Sequence, residues 1–195
     1  MGVPPLIPPE ITNSPNYMSN FHDLIVNRRS IRRFTDEEVS AEDVKTIMEA
    51  ALMAPTSKNS RPWQFVLVED TAKLEALSKC KENGAHPIAG CALAIIVACD
   101  VEASDPWIED AAIAATFIQL QAADLGLGSC WIQVRGRYTE NDLESETYVQ
   151  NILDMPDTIL PVCIIAIGHK AEDRKPQDIN KLMWEKVHIG TWKER

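Results

Sequence analysis

The sequence predicts an α+β domain of two or three packed layers, and three observations carry that reading. Four short runs are dense in aliphatic and β-branched residues, as strands require. Five longer stretches place apolar residues at helical spacing. The two kinds alternate irregularly along 195 residues that are 45% hydrophobic and 25% charged, enough for one buried core.

MGVPPLIPPEITNSPNY (1–17) carries five prolines and reads as an extended arm, so the folded domain is expected over 18–195. FHDLIVNRR (21–29) sets Phe21, Leu24 and Ile25 at helical spacing and predicts a first helix. VSAEDVKTIMEAALMAP (39–55) predicts a stronger one. Ser40 is its N-cap with Asp43 three residues on, Val44, Ile47, Met48, Ala51 and Leu52 form its stripe, and Pro55 marks its end. WQFVLVED (63–70) predicts a strand, and TAKLEALSKCKENG (71–84) a helix stopped at Asn83-Gly84. CALAIIVACD (91–100) is apolar throughout, as a strand covered on both faces must be.

DPWIEDAAIAATFIQLQAADLGLGS (105–129) predicts the longest helix, with Asp105 as N-cap, Pro106 at the first helical position and Gly126 as its stop. It is apolar almost all round and rich in alanine, the profile of a helix packed at close range, often against a partner subunit. SCWIQV (129–134) and LPVCIIAIGH (160–169) predict two more strands, with a helix in ENDLESETYVQNILDMP (140–156) between them. The charged tail beyond Gly168 keeps Leu182, Met183, Trp184, Val187 and Trp192, so it is expected to pack onto something.

The formal net charge is -10, yet Arg28, Arg29, Arg32 and Arg33 crowd into NRRSIRRF (27–34). An acidic surface repels nucleic-acid phosphates and anionic membranes over about 8 Å at physiological salt, but tolerates a small anion in a local pocket. Neither nucleic acid nor membrane is an expected partner. No run reaches the roughly 18 apolar residues that span a bilayer, and the start does not read as a secretory signal. Cys80, Cys91, Cys99, Cys130 and Cys163 form no C-x-x-C pair and read as buried reduced thiols, which favours a reducing compartment, the cytoplasm.

The scattered His22, His86, His169 and His188 have no metal-ligand spacing, so no metal is expected. GLGSC lacks the third glycine of a dinucleotide fingerprint and follows a helix instead of a strand. Walker A, G-x-S-x-G and H-E-x-x-H motifs are missing, and no base is identifiable for Cys91 or Cys130 as a nucleophile. An enzyme with this inventory relies on a bound organic cofactor.

Two constellations remain. The arginine cluster is either a solvated loop paired with Asp36, Glu37 and Glu38, or a phosphate clamp helped by the Ser30 hydroxyl. In an extended segment, Arg28, Ser30 and Arg32 would project one way and Arg29, Ile31 and Arg33 the other. APTSKNSRPWQF (54–65) is either a plain polar connection or, through Thr56, Ser57 and Asn59, a row of hydroxyl and amide groups suited to a polyhydroxyl chain. Pro62 and Trp63 would stiffen its return into the strand.

RRSIRRF, then APTSKNSRPWQF, PWIEDAAIAA with LGLGSCWI, and IGHKAEDRKP resemble, in order and spacing, the signatures of the FMN-dependent nitroreductase family, from about Met18 to Trp192. The resemblance implies a mainly antiparallel central sheet flanked by helices and an intertwined homodimer with two FMN sites at its interface. It implies that Arg28, Arg29 and Ser30 hold the flavin phosphate and ribityl chain. Arg32, the catalytic candidate, would place a cation at the N1/O2 edge of the ring. Pro55, Thr56, Ser57 and Asn59 would reach the flavin from the other subunit, and Trp131, Ile132 and Gln133 would face the ring near N5. Arg174 and Lys175 would complete the phosphate clamp, and the tail (about 170–195) would wrap the neighbour.

The activity so implied is ping-pong: NADH or NADPH gives hydride to N5, and a nitroaromatic, quinone or related acceptor is then reduced in the same place. Two positions depart from the family pattern, Arg61 where glutamine is frequent and Gln133 where glycine is common after Trp-Ile. The second bears on the size of acceptor admitted. A specialised flavin reaction such as reductive dehalogenation, a flavin-binding or sensing protein, and a cofactor-free anion-docking module are the competing readings.

Overall fold

Helix ends follow local chemistry. In this computed structural model, which describes residues 20–192, helix α1 (Phe21–Asn27) starts where the Asn20 side chain accepts the His22 N–H. The arm expected over 1–17, and the domain start at Met18, lie outside the described residues. Helix α2 (Ala41–Leu52) is capped as expected: Ser40 Oγ accepts the Asp43 N–H at 3.1 Å and donates to the Asp43 carboxylate at 2.8 Å. Helix α3 (Thr71–Leu77), capped by Asp70, ends earlier than Gly84. After Leu77 the bonds tighten, Lys79 to Ala76 and Cys80 to Leu77, and this turn carries Cys80 into the core.

Helix α4 (Trp107–Asp124) corrects one expectation: Pro106 occupies the N-cap position, without a side-chain bond, and Asp105 does not cap. Its far end is as expected, with Gly126 at φ 81°. Helix α5 (Ser145–Leu153) begins only after a turn in which the Thr139 N–H donates to Leu143 O at 2.9 Å. It closes on Asp154 in the left-handed region.

Strands β1 (Trp63–Val68), β2 (Leu93–Asp100), β3 (Gly128–Gln133) and β4 (Ile159–Gly168) form one sheet in the order β1-β2-β4-β3, every neighbouring pair antiparallel. Side chains alternate across it. Leu93, Ile95, Val97 and Cys99 of β2, with Cys163, Ile165 and Ile167 of β4, face α2 and α4. Ala94 and Ile96, with Ile164 and Ala166, face α3 and α5. Each fully buried aliphatic side chain contributes about 1.5–3 kcal/mol, so helices on both faces lock the register. The architecture is therefore three-layered, helices on sheet on helices.

The end of the β3–β4 ladder pairs Gly128 with Gly168. A methyl group at Gly128 would meet the Ile31 side chain at 2.9 Å, and one at Gly168 would meet Phe34 at 3.1 Å. The paired glycines thus open the space into which the segment after α1 is pressed.

Two apolar surfaces stay uncovered within one chain. The outer face of α4 shows Ile113 and Phe117, so this helix is apolar all round but buried on one side only. The tail, with single 3-10 turns at Ile179–Lys181 and Trp184–Lys186, leaves Trp184 68% and Trp192 77% exposed. Among the described residues no helix is long and apolar enough to cross a membrane, and no group of three His, Cys, Asp or Glu is placed to hold a metal ion.

Candidate functional site

The arginine segment leaves α1 at Arg28, whose N–H caps Leu24 O at 2.8 Å, and continues extended. Backbone bonds hold it on two sides. The Ile31 N–H donates to Ser129 O at 2.9 Å, the Thr35 N–H to His169 O at 2.9 Å, and the Ala171 N–H to Arg33 O at 3.1 Å. Ser30 bridges Ser129 and Phe34 bridges Lys170. Ile31 is buried, so one short apolar residue anchors a run of cations against the sheet edge.

Between this segment and the stretch after β4 lies a cavity of about 110 Å³. Arg28, Arg29, Lys170 and Arg174 bring four cationic side chains to its wall, alongside Glu172 and Asp173. Arg28 and Arg29 both line it, which corrects the strict alternation expected of an extended run. The chain turns at the α1 terminus, and only isolated bridges follow. Arg29 also donates from Nη1 to the Lys175 carbonyl, so Lys175 takes part through its backbone.

Glu172 joins the two segments. Its side chain is only 8% exposed; Oε1 accepts the Arg32 N–H at 2.8 Å, while Oε2 lies 3.1 Å from Arg174 and 3.5 Å from Arg33 Nε. The Arg32 N–H, followed by the charges of Arg174 and Arg33, holds this carboxyl below its ordinary range against the opposing effect of desolvation. The Arg32 side chain itself is exposed and does not line the cavity. Its charge reaches β3: burial pushes the Cys130 thiol up, and Arg32 pulls it back down.

Residues 55–59 do not line this cavity. Their loop is fixed at the start of α4, where Asp110, 2% exposed, accepts the Ser57 N–H at 2.8 Å and the Ser104 hydroxyl at 2.9 Å. Lys58, Asn59 and Arg61 all take positive φ, 51°, 57° and 51°, which a non-glycine backbone adopts at a cost of about 1–3 kcal/mol each. Thr56 Oγ1 accepts the Arg61 N–H at 3.1 Å, and Arg61 Nε donates to Asn59 Oδ1 at 2.9 Å, so the unusual Arg61 braces the loop from within. The Ser60 hydroxyl and the Trp63 indole N–H are buried without a partner.

On β3, Trp131 packs partly against the α4 side and its indole donates to Gln133 Oε1 at 3.0 Å. Gln133 donates in turn to Arg135 O at 2.9 Å, and the Arg135 guanidinium lies 5.6 Å from the Trp107 ring centroid. The Gln133 amide is therefore engaged on both sides. Ile132 points the other way and is wholly buried in the α3–α5 core, which leaves only its backbone for any ligand.

Lys170, Glu172 and Asp110 escaped the sequence reading. The first two sit inside the quoted IGHKAEDRKP, and the signal was the clustering of charge right after a buried strand. Asp110 was legible as an acid on the buried stripe of an alanine-rich helix, a place where a charge needs partners.

Similarity to known proteins agrees with this geometry. The profile of the Nitroreductase family matches residues 25–92 and 81–169. A protein of Archaeoglobus fulgidus whose name carries NADH dehydrogenase and NAD(P)H nitroreductase is 31% identical over 174 residues, 87% of this chain and 97% of that one. The FMN reductase (NADPH) of Bacillus subtilis is 30% identical, over 82% of this chain and 70% of its own. The solved structure of an FMN-dependent nitroreductase from Clostridium difficile R20291 superposes with a TM-score of 0.85 at 44% identity, covering 87% of this chain and 98% of that one.

Proposed function

This chain belongs to the nitroreductase family and is an oxidoreductase, and on that premise we propose that it holds FMN and uses NADH or NADPH to reduce nitroaromatic, quinone or related acceptors. One observation carries the reading: four cations from segments at opposite ends of the domain converge on one cavity of about 110 Å³, room for a phosphate group. The donor set fits the FMN phosphate, a dianion that bidentate guanidinium contacts favour over other small ligands.

When bound, FMN supplies a ring that takes up a hydride and passes reducing equivalents on. The residues of the chain hold and orient it. Arg28, Arg29, Lys170 and Arg174 would receive the phosphate, with Lys175 acting through its carbonyl on Arg29; Ser30, expected to help them, bridges Ser129 and does not line the cavity. Arg32 offers an exposed positive charge next to β3, suited to negative charge developing at the N1/O2 edge of the flavin. Trp131 and Gln133 form a braced wall that would face the flavin near N5, to which Ile132 would contribute backbone. Because Gln133 is tied to Arg135, this wall stays rigid and bounds the space open to an acceptor.

A second copy completes the proposed site. Pro55, Thr56, Ser57 and Asn59, held by Asp110, are assigned to the flavin of the partner. The homodimer would also cover Ile113, Phe117, Trp184 and Trp192, large apolar side chains that a single chain leaves exposed. Five free, buried cysteines suit a reducing compartment such as the cytoplasm.

The test is an absorbance spectrum of the purified protein, followed by anaerobic addition of NADH or NADPH. A yellow protein that bleaches with NAD(P)H and recovers on adding a quinone or nitroaromatic supports the proposal. Colourless protein that takes up no FMN refutes it, and yellow protein that keeps its colour with both donors refutes the enzymatic part.

A further inference from the structure

We infer that Glu172 is a positioning residue of the phosphate cavity, a resident counter-ion that holds Arg174 against the arginine segment before the anion arrives. The inference rests on the FMN reading above.

A carboxylate in the wall of an anion site repels the ligand, so its presence there needs a reason. Glu172 is nearly buried and takes its donors from the two segments that flank that site: the Arg32 N–H at 2.8 Å, Arg174 Nη2 at 3.1 Å and Arg33 Nε at 3.5 Å. Arg32 and Arg33 belong to the segment after α1, and Arg174 to the stretch after β4. Every other hydrogen bond shown between these two stretches ends on a backbone carbonyl: Thr35 to His169, Ala171 to Arg33 and Arg29 to Lys175. Glu172 is thus the side chain that accepts from both halves of the clamp at once, beside the Arg29 contact and a Glu37–His169 pair at 3.7 Å.

The electrostatics make the same point. Arg28, Arg29, Lys170 and Arg174 share a small cavity and repel one another when no anion is bound. A fixed carboxylate offsets that repulsion and holds Arg174, whose side chain is 44% exposed, in place. The clamp is then assembled in advance, and the ligand meets a lower ordering cost. Glu172 touches neither the ring nor the reacting atoms in this assignment. Its effect should therefore appear only on ligands that carry the phosphate.

The experiment compares apoprotein titrations with FMN and with riboflavin, which has the same ring and sugar alcohol but no phosphate, by quenching of flavin fluorescence. Glu172→Ala should weaken FMN about tenfold and leave riboflavin within about twofold, since the loss is one of preorganisation at the phosphate. Glu172→Gln, which keeps an acceptor for the Arg32 N–H but no charge, should fall between Ala and wild type. If the alanine variant does not fold, Glu172→Asp takes its place, with the carboxylate drawn back from the same N–H.

Equal losses for FMN and riboflavin would mark a merely structural role and overturn the inference. So would tighter FMN binding in the variants, the outcome expected if the carboxylate only repels the ligand. Wild-type protein that binds FMN no better than riboflavin would overturn the phosphate assignment itself, and this inference with it.

Discussion

Gly128→Ala probes the link between fold and site. The added methyl would lie 2.9 Å from both Cβ and Cγ2 of Ile31 and 3.1 Å from Lys170 Cγ, against a preferred carbon–carbon separation of about 3.5–4.0 Å. Lys170 can swing aside, but Ile31 cannot: it is 4% exposed, and its N–H is bonded to the neighbouring Ser129 carbonyl at 2.9 Å. Either β3 or the arginine segment must shift by several tenths of an ångström. Overpacking of this kind costs about 1–3 kcal/mol. For a chain of this length that corresponds to a fall in Tm of roughly 4–8 °C at the middle of the range.

The same shift displaces Arg28 and Arg29, so FMN affinity should drop about tenfold, a loss of roughly 1.4 kcal/mol. Thermal melts at one fixed protein concentration, with a flavin titration on the same samples, measure both. Gly90→Ala is the control, because nothing lies within 4 Å of a methyl group there, and it should melt with wild type. If Gly128→Ala also melts with wild type, the reasoning about close approach at the sheet edge is wrong. If it melts early but binds FMN normally, the coupling to the site is wrong.

Three further outcomes are expected. Arg32→Ala, altering an exposed side chain, should keep the Tm but slow anaerobic flavin reduction by about 30- to 1000-fold in stopped flow, the equivalent of ~2–4 kcal/mol; an unchanged rate rejects the role. Asp110→Ala strips the acceptor from the Ser57 N–H and the Ser104 hydroxyl, and urea unfolding should show a loss of about 2 kcal/mol, with Asp110→Asn recovering part of it. Burial pushes the thiols of Cys91 and Cys99 from 9.0 up to about 12 and that of Cys80 to about 11. The unfolded chain therefore ionises first: stability from these groups is intact below pH 9.0 and declines between 9.0 and about 12, which denaturant midpoints across that range would show.

Much of the fold was legible because it is local. The Ser40–Asp43 cap, the Gly126 stop and the apolar run of β2 each depend on residues a few positions apart, and each appears in the structure. The failures are local features overridden by tertiary ones. At α4 the acid that matters is Asp110, turned inward to hold Ser57 from another part of the chain, while Asp105 has the composition of a cap but not the geometry. In α3 the helix yields to a tighter turn that sinks Cys80 into the core. At the site, the arginine cluster was conspicuous as a cluster, but its alternation was misread because the segment pairs only at Ser30 and Phe34.

Composition and periodicity by themselves determined which stretches became helices and strands, that every cysteine would be buried, and where the positive charge would concentrate. Only the tertiary structure decided that the sheet runs β1-β2-β4-β3 and that Lys170, Glu172 and Arg174 meet Arg28 and Arg29. The physical reason is range. A helix cap or an apolar stripe is settled within a turn or two of chain, whereas the cavity exists because β3 and β4 pair in the register that sets Gly128 against Gly168 and leaves room for Ile31 and Phe34. That register is a property of two buried sheet faces packed at once, and no short stretch of sequence contains it.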